Sequence, residues 1–534
     1  MMDILIKKTA LDDELKLAGE DVGAVIPELS RIFSVQNPQA FFAKQYGFSV
    51  PNKIYGVSPF GTFKVGLLAD ILRYLKRNYK NVNIRLDGDE TKELVKSRRP
   101  LKEFVKSNRY EGPENIAKDI TPRPYQIDAV DAVITKGYGR CMFECPTASG
   151  KSLIIANIIY TLFNQYAKTE PFRTLIFVPN VQLVSQLYKD LLSYGFTKDE
   201  VVMYVPKTIK KLKNSKELSD AKVVISNRQF LFNHLDEIGQ IDMVIVDEVH
   251  SVAPNSKTIK ILSKLKADIK IGCSGTIPRD KAKYWALLTA LGPVVYQKDV
   301  IELQDDGFIS QAKFTLVKVK DLIVEENPDL LFHLKSNKKY IEGEEGGIAF
   351  NDAYMAEAEH LAKHCMELYA PIIDLLDLSG ANTLILFDRI KFGESLYQTL
   401  KKTKSPEFEV YYIDGRTSVD VREKIRALAE TKNNVIIIAQ VTTMSVGTNI
   451  KNLTNLIITG SQKSQVRTIQ SIGRLLRLHL NKPSANVYDI IFNYKYSRRH
   501  YAQRRRLYKE YYNKGKPDKT IQVVLDQNGK ATVR

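Results

Sequence analysis

Short apolar runs rich in β-branched residues recur from about Pro124 to Ile490, and longer stretches of helical character separate them. This alternation is typical of α/β domains, in which helices join the strands of a parallel sheet. The runs are CMFE, TLIFVP, KVVISN, MVIVDE and IKIGCSGT, and later TLILF, EVYYID, NVIIIA, NLIITG and NVYDII. Because these are too many for one ordinary sheet, the sequence predicts two parallel α/β lobes.

A break between the two groups of runs falls around Lys313 to Gly380. Within it, NPDLLFHLKSNKKYIEGEEGGIAFNDAY is polar and irregular, and the amphipathic stretch AEAEHLAKHCMELYAPIIDLL that follows predicts a helix. We therefore expect the first lobe over residues 113–312 and the second over 313–493. Residues 1–112 carry a probable helix, VGLLADILRYLKRN, followed by a short apolar strand, VNIRL, which predicts a small separate α/β domain. Residues 494–534 are predicted to form a short basic and aromatic extension.

The composition is that of a soluble globular protein. The chain has 534 residues, of which 44% are hydrophobic and 26% are charged. No apolar run reaches the roughly 18 residues that a membrane span needs, and the first residues lack the layout of a signal peptide. We expect a cytoplasmic protein without a membrane. The four cysteines lie in apolar stretches without paired metal-ligand spacing, so we expect reduced core residues rather than a metal site.

The positive charge is concentrated near the two ends of the chain. The formal net charge is +18, which favours a polyanionic partner. From Ile491 to Arg534 there are twelve Lys or Arg and three acidic residues, and from Pro51 to Tyr110 there are fourteen and six. The stretch FNYKYSRRHYAQRRRLYKEYYNKGK mixes these cations with tyrosines, which suits phosphate contact and base stacking. It predicts nucleic-acid contacts from Arg504, Arg505 and Arg506, although a solvated basic helix without a partner is the alternative.

The segment CPTASGKS, from Cys145 to Ser152, lies between an apolar strand and a helical stretch. This is the context of a phosphate-binding loop, in which backbone N–H groups cradle the phosphates. Lys151 would neutralise phosphate oxygens, and the Ser152 hydroxyl would hold Mg²⁺. Cys145 stands where the general pattern has glycine, and an ordinary glycine turn between strand and helix is the alternative.

The apolar strand MVIV ends in DEVH, which places Asp247 and Glu248 at the carboxyl edge of a sheet, where α/β folds bind ligands. Phosphoryl transfer needs one group to hold the metal ion and another to orient or deprotonate the attacking water. We predict that Asp247 holds Mg²⁺ together with Ser152, and that Glu248 acts on the water.

With these two motifs the chain resembles the superfamily 2 helicases, because further motifs follow in the order found in that family. RPYQIDAV is similar to the adenine-side motif, CPTASGKS to a family variant of the phosphate loop that lacks the first glycine, and DEVH to the hydrolysis box. VPNVQLVSQ and SNRQFL resemble motifs that touch the nucleic-acid strand, and CSGT resembles the coupling motif. In the second lobe LILFDRI, IDGRTSVDVRE, TTMSVGTNI and QSIGRLLR resemble the later motifs, and the resemblance spans roughly residues 123–489.

The resemblance implies two RecA-like lobes that bind ATP and Mg²⁺. The residues that it assigns to nucleotide binding are Arg123, Tyr125, Gln126, Pro146, Thr147, Ala148, Ser149, Gly150, Lys151, Ser152, Gly447, Asn449 and Gln470. The residues that it assigns to coupling are His250, Ser274 and Thr276, and those that it assigns to strand contact are Asn180, Gln186 and Gln229. Many members of the family have an acidic residue at the position of Asn449, which leaves the recognition of ribose by this residue open. The alternative for His250 is an ordinary hydrogen-bonded histidine without a coupling role.

Arg474 and Arg477 are three residues apart on a presumed helix, and the resemblance implies that they reach the γ-phosphate as arginine fingers. With Lys151, Asp247 and Glu248 they complete the predicted catalytic set. A solvated helix face is the alternative for two such arginines.

The order of the predicted domains is most similar to the phage recombination helicases of the UvsW type, and more distantly to the fork-regression helicase RecG. This resemblance implies branch migration, fork regression and unwinding of RNA–DNA loops, with 3′-to-5′ movement. The expected partners are branched or forked DNA, RNA–DNA hybrids and single-strand-binding or recombination proteins. The protein is expected to be a monomer in the cytoplasm, that of the host if a phage encodes it. A double-strand translocase serving a restriction or packaging machine, an RNA helicase and a nucleic-acid scaffold switched by ATP remain open.

Overall fold

The computed structural model describes most of the chain. The described residues are 2–10, 14–37, 40, 47, 49–96, 120–137, 139–166, 172–212, 215–254, 256–278, 280–326, 346–444, 450–459, 465–479, 482, 484–512 and 516–533. The chain divides into two compact units, one of Met1–Pro146 and Gly150–Lys298 and one of Thr147–Ser149 and Asp299–Arg534. They are described separately below.

The first unit begins with a small domain built on a four-stranded sheet in the order β5-β2-β1-β6. Its strands are β1 (Met2–Lys8), β2 (Glu14–Ala18), β3 (Ser34–Gln36), β4 (Lys53–Tyr55), β5 (Thr62–Lys64) and β6 (Val82–Asp87). Its helices are α1 (Val22–Ile32), a 3₁₀ turn (Val65–Leu67), α2 (Leu68–Asn78) and α3 (Asp89–Lys96). β1 pairs antiparallel with β2 and parallel with β6, while β3 and β4 pair antiparallel in a separate two-stranded sheet. The structure confirms the small α/β domain, with α2 and β6 where the sequence predicts a helix and a strand.

The rest of the first unit is a seven-stranded parallel sheet in the order β13-β7-β12-β11-β8-β10-β9. Its strands are β7 (Arg140–Glu144), β8 (Thr174–Val178), β9 (Val201–Tyr204), β10 (Val223–Asn227), β11 (Met243–Asp247), β12 (Ile269–Ser274) and β13 (Val294–Gln297). Its helices are α4 (Pro124–Lys136), α5 (Lys151–Tyr166), α6 (Val181–Ser193), α7 (Ile209–Leu212), α8 (Lys216–Asp220), α9 (Arg228–Leu231), α10 (Lys257–Lys264) and α11 (Lys281–Leu291), with 3₁₀ turns at Leu235–Glu237 and Val249–Ser251.

Both faces of this sheet are covered by apolar side chains. Ile176 and Val178 of β8 belong to one buried cluster, and Leu175 and Phe177 of the same strand belong to another. Because successive side chains of a strand point to opposite faces, an uninterrupted apolar run such as TLIFV needs a core on each side. This double burial is why the strands read as continuous apolar runs in the sequence.

The small domain packs on α11 of the parallel-sheet lobe. Leu288 belongs to the buried cluster of the small domain, and the rings of Phe33 and Trp285 lie 6.0 Å apart. The approach is close at Gly66, where an added Cβ atom would lie 2.4 Å from the carbonyl oxygen of Leu288. A side chain at that position would therefore push the two domains apart.

The second unit contains an eight-stranded sheet in the order β16-β17-β15-β18-β19-β14-β20-β21. Its strands are β14 (Ala312–Asp321), β15 (Thr383–Phe387), β16 (Glu409–Ile413), β17 (Val435–Gln440), β18 (Asn455–Ile458), β19 (Ala485–Phe492), β20 (Lys519–Leu525) and β21 (Ala531–Val533). Its helices are α12 (Val300–Asp305), a 3₁₀ turn (Ile323–Glu326), α13 (Gly346–Lys363), α14 (Cys365–Asp374), α15 (Ile390–Lys404), α16 (Val419–Thr431), α17 (Val441–Met444), α18 (Gln465–Leu475) and α19 (Lys495–Tyr512). All neighbouring pairs are parallel except β20 and β21.

Two parallel RecA-like sheets and a small amino-terminal sheet domain are thus confirmed. Two details differ from the sequence interpretation. The predicted break between the lobes begins with β14, a ten-residue strand that pairs with β19 and β20, and residues 327–345 of the stretch predicted to be irregular lie outside the described residues. The predicted carboxyl-terminal extension supplies β20, so its last residues complete the sheet of the second unit. The four-domain division by residue number stays a prediction. None of the described helices is long and apolar enough to cross a bilayer.

Candidate nucleotide site and nucleic-acid surface

The turn between β7 and α5 has the backbone of an anion cradle. Ala148 and Gly150 both have positive φ angles, 73° and 77°, while Ser149 between them does not. Such alternation turns successive N–H groups toward one concave side, which attracts anions. An added Cβ atom at Gly150 would lie 2.5 Å from Nε2 of Gln126, so both the angle and the space require glycine there. We call residues 145–152 the phosphate turn.

Lys151 is held over the phosphate turn by the turn itself. Its Nζ atom donates hydrogen bonds to the carbonyl oxygens of Cys145 and Pro146, each at 3.2 Å. Because both acceptors are uncharged, the lysine keeps its positive charge available for a phosphate. The remaining residues of the turn are Thr147, which is half-buried, and Ser149, which is buried.

The predicted acidic pair lies at the end of β11. The Asp247 carboxylate accepts hydrogen bonds from the Glu248 N–H at 2.8 Å and the Cys273 thiol at 3.2 Å. Burial, and then the charge of Glu248, raise the pKa of Asp247 above its ordinary value, while Lys151 acts in the opposite direction. Glu248 has left-handed backbone angles, φ 57° and ψ 47°, a conformation that costs a non-glycine residue about 1–3 kcal/mol. The surrounding fold therefore holds the Glu248 backbone in this unfavourable conformation, which fixes the direction of its carboxylate.

The acidic pair fits a divalent cation. Two neighbouring carboxylates at a buried edge repel each other, and a bound cation would relieve that repulsion. No cluster of three or more His, Cys, Asp or Glu side chains suited to a metal occurs among the described residues. Mg²⁺ commonly binds one or two protein carboxylates together with substrate phosphates, so such a cluster is not required. Asp247 and the Ser152 hydroxyl are the predicted ligands.

Three neighbouring strands bring the predicted motifs to one edge of the sheet, because β12 lies between β7 and β11. His250 Nδ1 lies 3.0 Å from Glu248 Oε2 and 3.0 Å from Ser274 Oγ, and Ser274 Oγ also accepts the Thr276 N–H at 3.3 Å. The structure therefore joins the three predicted coupling residues, and they connect the hydrolysis box to the segment after β12.

The three residues of the adenine-side motif cluster at the start of α4. Gln126 Oε1 accepts the N–H of Arg123 at 2.9 Å, and Arg123 Nη1 donates to the Tyr125 hydroxyl at 3.3 Å. Tyr125 and Gln126 are buried, and burial raises the pKa of Tyr125. These local contacts explain why this helix begins at Pro124, because the Gln126 side chain accepts the Arg123 N–H and the Arg123 carbonyl accepts the Gln126 N–H at 2.9 Å.

The predicted strand-contact residues lie on separate elements. Asn180 caps α6, where its Oδ1 atom accepts the Leu183 N–H at 3.1 Å. Gln186 is half-buried on the same helix, and Gln229 is exposed on α9. Their contact with nucleic acid stays a prediction.

In the second unit, Arg474 lies in the last turn of α18, and Arg477 follows two residues after that helix ends. Both side chains are half-buried. The Arg477 N–H still donates to the Arg474 carbonyl at 3.4 Å, so a tighter turn continues past the helix. Gly447, Asn449 and the side chain of Gln470 lie outside the described residues. The arginine-finger role stays a prediction.

Helix α19 carries a continuous exposed row of cations. They are Lys495, Arg498, Arg499, Arg505, Arg506 and Lys509, and we call this row the cationic face. Each member lies three, four or seven residues from another member, which is one or two helical turns, so they share one side of the helix. At 1.5 Å per residue the row is about 21 Å long.

Arg504 is not part of that row. It is 2% exposed, and its guanidinium makes two hydrogen bonds to Asp489 of β19. A buried guanidinium in a bidentate pair cannot reach a phosphate on the surface. The prediction that Arg504 contacts nucleic acid is therefore wrong, and Arg504 stabilises the fold instead. Tyr496, Tyr508 and Tyr512 are also buried, which removes them from base stacking.

Some residues of these sites were not predicted. Lys495, Arg498, Arg499 and Lys509 could have been found from their helical spacing in the sequence. Tyr194, whose hydroxyl lies 3.1 Å from Ser152 Oγ, and Cys273, which donates to Asp247, carry no local signal because the contacts cross between distant segments.

Comparison with known proteins gives two family matches. Residues 119–279 match the family described as type III restriction enzyme, res subunit, and residues 367–479 match the helicase conserved C-terminal domain. The chain is 26% identical over 381 residues to the ATP-dependent DNA helicase uvsW of Enterobacteria phage T4, covering 70% of this chain and 69% of that protein. It is 25% identical over 398 residues to a putative ATP-dependent helicase, IRC3, of Saccharomyces cerevisiae, covering 69% of this chain and 51% of the yeast protein. The chain thus spans about half the length of the yeast relative.

Among solved structures, the fold is similar to that of the ATP-dependent type ISP restriction-modification enzyme LlaBIII bound to DNA. The TM-score is 0.56 at 16% identity, and the match covers 85% of this chain and 34% of that one. At this identity the likeness concerns the fold alone. The two family matches, the relatives and the ordered motifs on a parallel sheet together show that the chain is similar to the helicases of superfamily 2, among them UvsW of phage T4.

Proposed function

We propose that this protein is an ATP-driven DNA helicase that remodels branched DNA by branch migration, fork regression and unwinding of RNA–DNA loops. One observation carries the ATP-hydrolysing part of this proposal. The phosphate turn, the acidic pair and Ser274 follow three neighbouring strands at one sheet edge, and His250 contacts both Glu248 and Ser274.

Each residue of the site has a proposed task. The N–H groups of the phosphate turn and the Lys151 ammonium bind the phosphates, and Gln126 with Tyr125 receives the adenine side. Glu248 orients the attacking water and accepts its proton. A Mg²⁺ ion held by Asp247 and Ser152 would supply positive charge to the transferred phosphoryl group. His250 then transmits the state of Glu248 to Ser274 and Thr276 through its two contacts.

The DNA part of the proposal is supported by the similarity to a DNA helicase of phage T4 and by the cationic face. The T4 relative is described as a DNA helicase. Six exposed cations along about 21 Å of one helix suit a run of backbone phosphates. We further propose that the protein moves 3′-to-5′ along DNA and acts as a monomer. We also propose that it contacts single-strand-binding or recombination proteins and acts in the cytoplasm, that of the host if a phage encodes the protein.

ATP-dependent strand separation tests the proposal on forks, four-way junctions, RNA–DNA loops and duplex RNA. The protein should act on the first three and much less on duplex RNA. Lys151→Ala should abolish DNA-stimulated ATP hydrolysis while DNA binding persists, because the lysine contacts the nucleotide and the cationic face is untouched. Retained hydrolysis would refute the assignment of the phosphate turn, and a preference for duplex RNA would refute the DNA assignment.

Translocation along double-stranded DNA without strand separation is a second candidate, because residues 119–279 match a restriction-enzyme family. Displacement of a third strand from a DNA triplex measures such movement directly. If the protein displaces the third strand but leaves forks and junctions intact, the translocase is the correct function.

A further inference from the structure

Tyr194 places a phenol oxygen against the predicted metal-binding serine. Its hydroxyl lies 3.1 Å from Ser152 Oγ, although the two residues are 42 positions apart in the sequence. The backbone of Tyr194 is fixed at the end of α6, because its N–H donates to the Asp190 and Leu191 carbonyls at 3.0 and 3.1 Å. The following turn is closed by Phe196, whose N–H donates to the Leu191 carbonyl at 3.2 Å. The phenol therefore presents its oxygen from a well-anchored position.

We infer that Tyr194 is a positioning residue that orients the Ser152 hydroxyl for a divalent cation. This inference rests on the proposed function of the phosphate turn. A serine hydroxyl binds a cation through a lone pair of its oxygen, so its proton must point away from the cation to another acceptor. The phenol oxygen of Tyr194 is at hydrogen-bond distance to accept that proton. With the proton donated to Tyr194, the lone pairs of Ser152 are turned away from the tyrosine.

The chemistry of a tyrosine suits this task. A tyrosine phenol is ordinarily uncharged at physiological pH. A neutral acceptor adds no negative charge beside bound phosphates, which an aspartate or glutamate at this position would do. Hydrogen-bond partners that orient a metal ligand typically change metal affinity by 10–100-fold when they are removed.

The variant Tyr194→Phe tests the inference, because it removes only the hydroxyl. Binding of a fluorescent ATP analogue is measured during titration with Mg²⁺, and with Mn²⁺ as a second ion. We expect the metal concentration at half-maximal binding to rise about tenfold or more. Affinity for the analogue in EDTA should stay unchanged, since the phosphate turn and Lys151 are intact. Tyr188→Phe is the matched control, because Tyr188 lies on the same helix and packs on the same apolar core.

A double variant separates positioning from a general loss of structure. In a Ser152→Ala background, Tyr194→Phe should shift the metal midpoint no further, because the hydroxyl that it orients is absent. An unchanged or lowered midpoint in the single variant, or an equal shift in the Ser152→Ala background, would overturn the inference. If the wild-type protein itself shows no metal-dependent nucleotide binding, the proposed function fails instead, so the two failures are distinguishable.

Discussion

The guanidinium of Arg504 lies against the carboxylate of Asp489, with hydrogen bonds of 2.9 Å from Nε and 2.7 Å from Nη2. The Tyr508 hydroxyl donates to the same carboxylate at 2.7 Å. This buried cluster fixes α19 to β19, and so it holds the cationic face on the sheet of the second unit. A residue within the Arg-rich stretch thus supports the surface that its neighbours form.

Asp489→Ala should destabilise the second unit by about 3–5 kcal/mol, because it leaves a buried guanidinium without its charge partner. Urea unfolding followed by circular dichroism measures the change. The double variant Asp489→Leu with Arg504→Leu should recover part of the loss, since apolar replacement of a buried pair removes both charges. Arg506→Ala, on the exposed side of the same helix, should change stability by less than about 0.5 kcal/mol. Equal effects from Asp489→Ala and Arg506→Ala would contradict this description of the helix.

Arg505→Gln with Arg506→Gln should weaken DNA binding and reduce its salt dependence. Each lost phosphate contact lowers the slope of log K against log salt by about 0.9, so the slope should fall by about 2. Binding of a forked DNA is measured by fluorescence anisotropy at several salt concentrations. The matched control is Lys401→Gln with Lys402→Gln, which removes two adjacent exposed cations from α15 of the same unit. If the two double variants have the same slope, the cationic face does not contact DNA.

The Glu357 carboxylate accepts the N–H groups of Tyr496 at 2.8 Å and Ser497 at 3.2 Å, at the start of α19. Burial raises the pKa of Glu357 to about 7. Since the folded-state pKa lies above the unfolded value, the native protein holds the proton more tightly. This contribution to stability is full below about pH 4.5 and is lost as the pH rises through about 7.

The stability of the wild-type protein should therefore decrease from pH 5 to pH 8 relative to that of Glu357→Gln, which has no proton to release. The change in the difference should be on the order of 3 kcal/mol. Urea unfolding of both proteins across this range measures it. A difference that does not vary with pH would mean that Glu357 is already ionised at pH 5 in the folded protein.

Gly150→Ala should reduce nucleotide affinity at least tenfold. The φ angle of 77° disfavours alanine, and the new methyl group would collide with Gln126, so the phosphate turn would have to open. Gly88→Ala is the matched control, because Gly88 has a similar φ of 79° but nothing within 4 Å of an added Cβ atom. Binding of a fluorescent ATP analogue compares the two variants. Equal affinities would show that the shape of this turn does not decide nucleotide binding.

Local patterns in the sequence predicted much of the fold and of the nucleotide site. The apolar runs predicted the central strands because a parallel strand buries both of its faces, which leaves a continuous apolar stretch in the sequence. CPTASGKS and DEVH were informative for a similar reason, since a phosphate turn and a strand-end carboxylate pair need particular residues at fixed spacing within a few positions. In contrast, β14 and β20 contain polar residues between their apolar ones, and they lie in the predicted break between the lobes and in the predicted extension.

The tertiary structure decided which of the chemically similar side chains are available. Arg504, Arg505 and Arg506 are indistinguishable in the sequence, but only the face of α19 toward β19 offers a buried carboxylate, which binds Arg504 and leaves its two neighbours exposed. The contact of Tyr194 with Ser152 likewise depends on how α6 packs beside α5. Short-range spacing fixes what a segment can form by itself, whereas contacts between distant segments depend on the packing of the whole unit, and no local pattern encodes them.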